Sequence, residues 1–339
     1  MKTLIIAEAG VNHNGDLDTA LKLCCAAKEV GADVIKFQTW ITDNIITKNV
    51  AKAEYQKENT KNDDSQYEML KKLELSQNDF RIIERYCDGI GIIFASTADD
   101  KESLDFLVKE LDIPFIKVGS GDIGNVSYLR YIGSKNKTVI LSTGMSTLED
   151  IRISIDALRQ GGCKTIKLLH CTTNYPCPME DVNLNAIDTL KKEFDLPVGY
   201  SDHTKGIEVA IAAVAKGAKI IEKHFTLDKN MEGPDHLAST EPQEFKQMVD
   251  AIRNIEKALG TGVKVPSNSE IDISKVVFKR IVAAKDIKKG ETITEDMIAC
   301  KRNDNGEPAR NYDLVVGSIA NKDYSIDEGI ILWNIKYVM

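Results

Sequence analysis

The chain has 339 residues, of which 42% are hydrophobic and 28% are charged, a balance typical of a soluble globular protein rather than a disordered or fibrous one. Its net charge of −8 argues against a nucleic-acid partner, because nucleic-acid-binding surfaces are basic. No apolar run approaches the roughly 20 residues needed to span a bilayer, so we expect no membrane partner. The length predicts one large domain and one small one, since single cores rarely exceed about 250 to 300 residues.

The cellular compartment is predicted from the N-terminus and the cysteines. The first apolar run ends at Glu8, too early for the apolar core of a secretion signal. The seven cysteines are odd in number and lack metal-type spacing, which is typical of reduced thiols. We therefore expect a cytoplasmic protein.

From the start of the chain to about residue 230, short β-branched runs alternate with amphipathic stretches of helical length. The predicted strands are Thr3 to Ala9, Val34 to Thr39, Gly91 to Ser96, Phe115 to Gly119, Thr138 to Ser142, Thr165 to His170, Pro197 to Tyr200 and Lys219 to His224. The predicted helices are Leu17 to Val30, Gln77 to Gly89, Leu148 to Gln160, Leu184 to Phe194, Gly206 to Lys216 and Pro242 to Leu259. Eight βα units favour a closed (β/α)₈ TIM barrel over an open sheet.

A stretch rich in Gly, Pro and Ser follows the last barrel helix and is typical of a linker. The predicted domains are a TIM-barrel catalytic domain at 1–260, a linker at 261–278 and a small C-terminal domain at 279–339. The small domain has strand-like runs at Ile281 to Ala284 and Ile330 to Trp333. Within the barrel, the polar segment Ile41 to Lys71 is longer than a usual βα loop, which favours a lid or a binding loop.

All five histidines lie at or after predicted strand ends, where barrel enzymes place their working residues. They are His13, His170, His203, His224 and His236. His203 and His224 follow adjacent strands at the same height, so their imidazoles could share one divalent cation with water and an oxygen-rich substrate. The alternative is that each imidazole only hydrogen-bonds the strand ends.

Charged and hydroxyl residues at the strands suggest an anion site. Lys36 and Lys117 lie in apolar strands, where a lysine is costly to bury unless it meets an anion or a carboxylate. They either hold a ligand's phosphate and carboxylate or pair with interior acids such as Glu8 and Glu222. Glu8 and Asp235 can act as acid or base or bind a hydroxyl, or be structural. Strand exits with hydroxyl and small residues, suited to phosphate binding or helix capping, are Ser96-Thr97, Gly119-Ser120-Gly121, Ser142-Thr143-Gly144, Thr172-Thr173 and Ser201.

Several motifs along nearly the whole chain resemble bacterial sialic acid synthases. In the barrel these motifs are Glu8 to Gly15, Lys36 to Thr39, Leu141 to Met145, His170 to Thr172, Ser201 to Thr204, Glu222 to Thr226 and Gly233 to Asp235. In the tail, Ala284 to Glu291 and Lys301-Arg302 resemble the antifreeze-like (SAF) domain of that family. The resemblance implies a TIM barrel followed by a small antifreeze-like domain.

The resemblance also implies the reaction. Such enzymes condense phosphoenolpyruvate with an N-acetylmannosamine-type aldehyde sugar and water, giving N-acetylneuraminate or a related nonulosonate and phosphate. His203 and His224 would hold a divalent metal, usually Mn²⁺, with Mg²⁺ or Co²⁺ as the other options. The substrate-binding candidates are Lys36, Thr97, Lys117, Ser120 and Ser142 for phosphoenolpyruvate, and Glu8, Gln38, Tyr175 and Asp235 for the sugar, with Thr173 as a further substrate-binding residue. Glu8 is the candidate for proton handling.

By the same resemblance the chain forms a domain-swapped homodimer, in which Arg302 of each tail contacts the sugar in the other barrel. The sequence departs from the family pattern at three places. Ala98-Asp99 stands where Pro-Phe is frequent, Gly121-Asp122 where Gly-Glu is frequent, and Asn303-Asp304 where Pro-Gly often follows the arginine.

These departures leave the acceptor open. N-acetylmannosamine ranks first, with 2,4-diacetamido-2,4,6-trideoxymannose, the precursor of N,N'-diacetyllegionaminate, close behind, and a 6-phosphorylated mannosamine as a further option. Two other classes are a noncatalytic sugar-binding protein and a metal-dependent aldolase that uses pyruvate. The two histidines at strand exits and the two interior lysines favour a synthase.

Overall fold

The computed structural model describes residues 2–48, 50–52 and 64–332. The chain divides into two compact units, 1–260 and 261–339. In the first unit eight parallel strands close into a barrel in sequential order, which confirms the predicted TIM barrel. The strands are β1 Leu4–Gly10, β2 Val34–Thr39, β3 Ile93–Ala98, β4 Ile116–Val118, β5 Val139–Ser142, β6 Ile166–His170, β7 Val198–Asp202 and β8 Ile220–His224.

Helices cover the outside of the barrel and continue into the second unit. They are α1 Leu17–Glu29, α2 Thr42–Ile45, α3 Gln66–Leu73, α4 Gln77–Ile90, α5 Lys101–Lys109, α6 Val126–Gly133, α7 Leu148–Gly161, α8 Ala186–Phe194, α9 Glu208–Ala215, α10 Pro242–Ala258, α11 Asn268–Val277 and α12 Tyr312–Val315. The six predicted helices are all present, with ends shifted by one or two residues. The bounds of three predicted strands also differ from the observed ones. β3 starts two residues later than predicted, β4 is shorter, and β7 extends to Asp202.

Side chains fill the barrel interior below its open end. The strands are apolar on both faces because each is buried on both sides, as in other parallel sheets. The interior layer consists of Ile6, Val34, Ala95, Phe115, Ile140, Leu169 and Ile220. The barrel is therefore a packed core and not a pore, and ligands must bind above this layer at the carboxyl ends of the strands.

Strand register brings polar residues to one height above that layer. Glu8 on β1 pairs with Lys36 on β2 and with His224 on β8. Thr97 on β3 pairs with Lys117 on β4. Because alternate residues face inward, side chains from five strands converge at the same end of the barrel.

The second unit has its own small core. Its strands β9 Lys279–Ala283 and β10 Ile298–Arg302 form an antiparallel pair. Ile281, Ile293 and Tyr324 are among the buried residues that pack together there. The helix α11 lies inside the predicted linker and was not anticipated. The boundary at residue 279 stays a prediction.

Two predicted segments lie partly outside the described residues. The run Ile330 to Trp333 extends beyond residue 332, where the description ends. The segment Ile41 to Lys71 contains α2 and most of α3, but residues 49 and 53–63 lie outside the description. Within the described chain, none of the helices is both long and apolar enough to cross a membrane.

Candidate active site

A polar cavity of about 150 Å³ opens at the carboxyl end of the barrel. Eleven of the predicted site residues line it: Glu8, Lys36, Gln38, Thr97, Lys117, Ser120, Ser142, Thr173, Tyr175, His203 and His224. The other lining residues are Asp99, Gly119, Gly121, Cys171, Ser201 and Glu222. Residues predicted from separate strand ends therefore share one cavity.

Four buried charges form a network in this cavity. Lys36 Nζ lies 2.6 Å from Glu8 Oε2 and 3.7 Å from Glu222 Oε2. Lys117 Nζ lies 3.4 Å from Glu222 Oε1. Lys36 also donates a hydrogen bond of 3.0 Å to Thr97 Oγ1. The two alternatives for these lysines are thus compatible, because they pair with interior acids and also line the cavity.

The network separates the pKa values of its two carboxyl groups. Burial raises the pKa of Glu8 to about 8, because it outweighs the attraction of Lys36, and the charge of Glu222 adds to the rise. Burial acts in the same direction on Glu222, but Lys117 and Lys36 outweigh it and lower that pKa to about 2. Two carboxyls with such different pKa values suit different roles, one exchanging protons and the other staying ionised. Glu8 is the group that can exchange a proton near neutral pH.

Two imidazoles face each other beside this network. The ring centroids of His203 and His224 are 5.7 Å apart, and the Tyr175 ring lies 4.3 Å from that of His203. His203 Nδ1 donates a hydrogen bond of 2.7 Å to the Thr172 carbonyl oxygen, so the lone pair is on Nε2, which lies 3.3 Å from Ser201 Oγ. His224 Nδ1 is buried without a hydrogen-bond partner.

Both imidazoles are neutral at physiological pH. Burial lowers the pKa of His203, and burial together with His203 lowers the pKa of His224 to about 3. Neutral imidazole is the form that binds a metal ion. Among the described residues, no group of three or more His, Cys, Asp or Glu side chains is arranged to hold a metal. His203 and His224 are thus the two residues of this cavity that could hold a divalent cation.

Hydroxyl groups occupy the side of the cavity formed by β4 to β6. The Gly144 backbone N–H donates a hydrogen bond of 2.9 Å to Ser120 Oγ. Thr173 Oγ1 is buried without a partner. A side chain at position 144 would collide with the Thr173 hydroxyl, so the glycine keeps this part of the cavity open. Free hydroxyl groups next to two lysines can bind the oxygens of a phosphate or a carboxylate.

Comparison with known proteins identifies the family. Residues 23–264 match the NeuB family. The chain belongs to the NeuB family. Residues 279–331 match the SAF domain, which confirms the predicted C-terminal domain type.

Individual relatives cover nearly the whole chain. The chain is 50% identical to the N,N'-diacetyllegionaminic acid synthase of Campylobacter jejuni, over 96% of this chain and 98% of the relative. It is 46% identical to the enzyme of the same name from Legionella pneumophila, over 98% and 94%. The crystal structure of an N-acetylneuraminic acid (sialic acid) synthetase from Leptospira borgpetersenii, in complex with citrate, is similar with a TM-score of 0.70 and 34% identity, covering 82% of this chain and 93% of that one.

In this NeuB-family barrel, Asp235 stands at the edge of the cavity. A Cβ atom at Gly10 would lie 3.4 Å from Glu8 Oε1, 3.8 Å from Asp235 Oδ2 and 3.8 Å from His224 Cε1, so the three side chains surround one glycine. Burial raises the pKa of Asp235 to about 6. The predicted site residue Asp235 therefore joins the cluster although it does not line the cavity itself.

The loop that carries Asp235 is tied to the loop after β1. Asn12 Nδ2 donates to Ser239 Oγ at 2.8 Å, and Ser239 Oγ donates to the Asp235 carbonyl oxygen at 2.6 Å. Asn14 Nδ2 donates to the Glu232 carbonyl oxygen at 2.8 Å. These bonds explain why the motif after β1 needs two asparagines, since both hold the acid-bearing loop.

Three histidines form hydrogen bonds within loops and do not line the cavity. His170 Nε2 bonds the Val182 carbonyl oxygen at 2.8 Å, and His236 Nδ1 bonds Thr226 Oγ1 at 2.6 Å. His13 Nδ1 accepts a hydrogen bond of 3.0 Å from the Gly15 N–H. Arg302 lies on β10 of the second unit with an exposed side chain.

Six lining residues were not assigned a catalytic, substrate-binding or metal-binding role: Asp99, Gly119, Gly121, Cys171, Ser201 and Glu222. Ser201 was considered only as a strand-exit hydroxyl, and Glu222 only as a partner of the interior lysines. A sequence signal existed for two of them. Ser201 and Glu222 precede His203 and His224 by two positions, and alternate residues of a strand share a face. Asp99 was visible only as a departure from the family pattern.

Proposed function

We propose that this chain condenses phosphoenolpyruvate with an N-acetylated amino-sugar aldehyde and water, giving a nonulosonate and phosphate. The observation that carries this proposal is one cavity in which two lysines and several hydroxyl groups lie beside two neutral imidazoles. The first set suits an anion with a phosphate and a carboxylate, and the second suits a divalent cation.

Lys36 and Lys117 are our candidates for binding phosphoenolpyruvate, together with Thr97, Ser120, Ser142 and Thr173. Both lysines lie next to carboxylates and can also attract the substrate's phosphate and carboxylate groups. They would hold these two groups in place while C3 attacks the aldehyde carbon and positive charge develops at C2. Water then adds at C2, and phosphate leaves by cleavage of the C–O bond.

His203 and His224 fit a divalent cation, because both are neutral, buried and close together. When bound, such a cation, for which we propose Mn²⁺, would supply Lewis-acid polarisation of the acceptor's aldehyde oxygen. Glu8 is our candidate for exchanging protons with the sugar hydroxyl or with water, since its pKa of about 8 lies near neutral pH. Gln38, Tyr175 and Asp235 would bind the sugar.

The acceptor follows from charge and from the relatives. Among the described residues that line the cavity, no Lys or Arg exists besides Lys36 and Lys117, and both are paired with Glu8 or Glu222. This balance disfavours a 6-phosphorylated mannosamine. Because two relatives named N,N'-diacetyllegionaminic acid synthase are 50% and 46% identical, we place 2,4-diacetamido-2,4,6-trideoxymannose ahead of N-acetylmannosamine.

The test is inorganic phosphate release from phosphoenolpyruvate with Mn²⁺ and each of the three acceptors. We expect the highest kcat/KM with the diacetamido sugar, less with N-acetylmannosamine and least with its 6-phosphate. Phosphate-free product formation from pyruvate would support the aldolase instead. Sugar binding without turnover of any acceptor would support the noncatalytic protein.

We further propose that the chain works as a domain-swapped homodimer in the cytoplasm. The segment 263–278 exposes apolar side chains, with Val263 70%, Val276 62% and Phe278 69% exposed. Apolar patches of this kind mark interaction surfaces, and a second copy of the chain is the occupant we propose. All seven cysteines are free thiols, which supports a reducing compartment.

Complementation tests the swapped dimer. We expect His203→Ala and Arg302→Ala homodimers to have little activity, and the mixture of dimers formed on co-expression to regain about one quarter of the wild-type rate. The reason is that half of a statistical mixture is heterodimer, and each heterodimer has one complete site, made from the Arg302→Ala barrel and the other chain's intact tail. Activity no higher than in either homodimer would contradict the swap, and so would a monomeric mass by light scattering.

A further inference from the structure

Asp99 is an acid of the cavity that the proposed reaction leaves unused. It follows β3, and its backbone N–H donates a hydrogen bond of 3.1 Å to the Thr39 carbonyl oxygen. Its side chain lines the cavity, two residues after Thr97. Among the described residues its carboxylate accepts no hydrogen bond and forms no ion pair. A carboxyl group in such a position calls for a ligand or a proton.

The charges around the cavity explain why Asp99 calls for a ligand or a proton. Its lining contains two cations, Lys36 and Lys117, and three carboxyl groups, Glu8, Glu222 and Asp99. The lysines are paired with the two glutamates, and both histidines are neutral. Asp99 is therefore the one carboxyl group of this lining that forms no ion pair with either lysine. An anionic substrate entering this cavity would be repelled by it, unless the carboxyl group is protonated.

The groups that face Asp99 bring its pKa close to neutral pH, so it can gain or lose a proton there. Burial, followed by the charge of Asp122 after β4, raises the pKa of Asp99 to about 7; Asp100 acts in the same direction, while Lys36 and Lys117 oppose the rise. The charge of Asp99 also acts on the Tyr128 hydroxyl of α6. A further negative charge nearby would favour the protonated form of Asp99.

We propose that Asp99 takes up a proton when phosphoenolpyruvate binds and then donates a hydrogen bond to this anionic substrate. The inference rests on the proposed function, because it needs phosphoenolpyruvate in this cavity. It makes Asp99 a substrate-binding residue whose protonation state decides affinity. Binding of phosphoenolpyruvate then draws a proton from solution and weakens as the pH rises through neutrality.

The experiment measures the Kd of phosphoenolpyruvate by calorimetry from pH 6 to pH 9 for the wild type and Asp99→Asn. Asparagine is neutral at every pH and keeps an N–H donor. At pH 6 the two proteins should bind alike. At pH 8.5 Asp99→Asn should bind about tenfold more tightly, because the wild type loses up to tenfold per pH unit above the pKa of Asp99. Ionisations of Glu8 and of the substrate affect both proteins, so the ratio of the two Kd values isolates Asp99.

Proton uptake gives a second readout. Calorimetry in buffers with different ionisation enthalpies should show fewer protons taken up by Asp99→Asn than by the wild type at pH 7.5. Asp99→Phe should also lose this pH dependence, and it should bind phosphoenolpyruvate more weakly than Asp99→Asn at every pH. Asp156→Asn, which alters an exposed acid on α7, should behave as the wild type.

Three outcomes would overturn the inference. A Kd ratio that does not change with pH would do so, and so would weaker binding by Asp99→Asn at every pH, which would make the carboxylate a hydrogen-bond acceptor. Retained pH dependence in both Asp99→Asn and Asp99→Phe would assign the proton to another group. A wild type that binds no phosphoenolpyruvate at any pH would instead overturn the proposed function, and the inference with it.

Discussion

His203→Ala is expected to lower phosphate release from phosphoenolpyruvate by on the order of 10²- to 10³-fold, the loss that follows removal of one group stabilising a developing charge. The imidazole is buried, and its Nδ1 proton is held by the Thr172 carbonyl oxygen, so Nε2 is presented as a ligand. Alanine removes one of only two protein ligands that we propose for the cation. Bound Mn²⁺, measured by mass spectrometry of the purified protein, should fall in parallel with the rate.

A matched control separates this role from damage at a strand end. His170 also ends a barrel strand, but its Nε2 bonds the Val182 carbonyl oxygen and it does not line this cavity. His170→Ala should keep its metal content and retain activity within about tenfold of the wild type. Equal loss of activity and of metal in both variants would contradict the assignment of His203. Full activity of His203→Ala would contradict it more directly.

The sequence was sufficient for the barrel because each strand is an uninterrupted apolar run between helices. It misplaced β3 by two residues, since Gly91, with φ of +72°, closes α4 and Ile92 still belongs to the turn that follows. The apolar run begins before the strand does, so Thr97 lies within β3 and not beyond it. Strand ends are therefore less certain in sequence than strand existence.

The helix α11 was missed for a different reason. Helices are predicted from an apolar stripe that faces a core, but the side chains of α11 that would form one are exposed in this chain. The Gly and Pro content of the preceding residues then dominates the pattern. The same feature supports the proposed dimer, because the stripe is left exposed in the described part of the chain.

The charge network could be predicted only as a set of alternatives. Alternation placed Lys36 inside the barrel, yet sequence cannot say which acid stands across from it or how close. The structure places both Glu8 and Glu222 within 4 Å of the same amine. Burial raises the pKa of Glu8, whereas Lys117 and Lys36 lower the pKa of Glu222. Proton exchange by Glu8 thus depends on three-dimensional spacing that no linear motif encodes.

Lys36→Met is expected to lower the free energy of unfolding by about 3–5 kcal/mol at pH 8, because it leaves the buried Glu8 carboxyl group without its nearest cation. Methionine is unbranched and apolar, so it can fill the space left by the lysine stem. The double variant Lys36→Met/Glu8→Gln, which removes one charge of each sign, should recover most of this loss. Urea denaturation followed by circular dichroism measures each value.

The loss of stability caused by Lys36→Met should increase with pH. Because the pKa of Glu8 in the folded protein is raised to about 8, the folded state binds more protons than the unfolded state, and stability falls as pH rises from about 4.5 to 8. Without Lys36 that pKa rises further, so Lys36→Met should lose less at pH 5.5 than at pH 8. Lys246→Met, which breaks an exposed pair with Asp250, should cost no more than about 1 kcal/mol at either pH. An equal loss for Lys36→Met at both pH values, or no recovery in the double variant, would mean that Glu8 does not carry the buried proton.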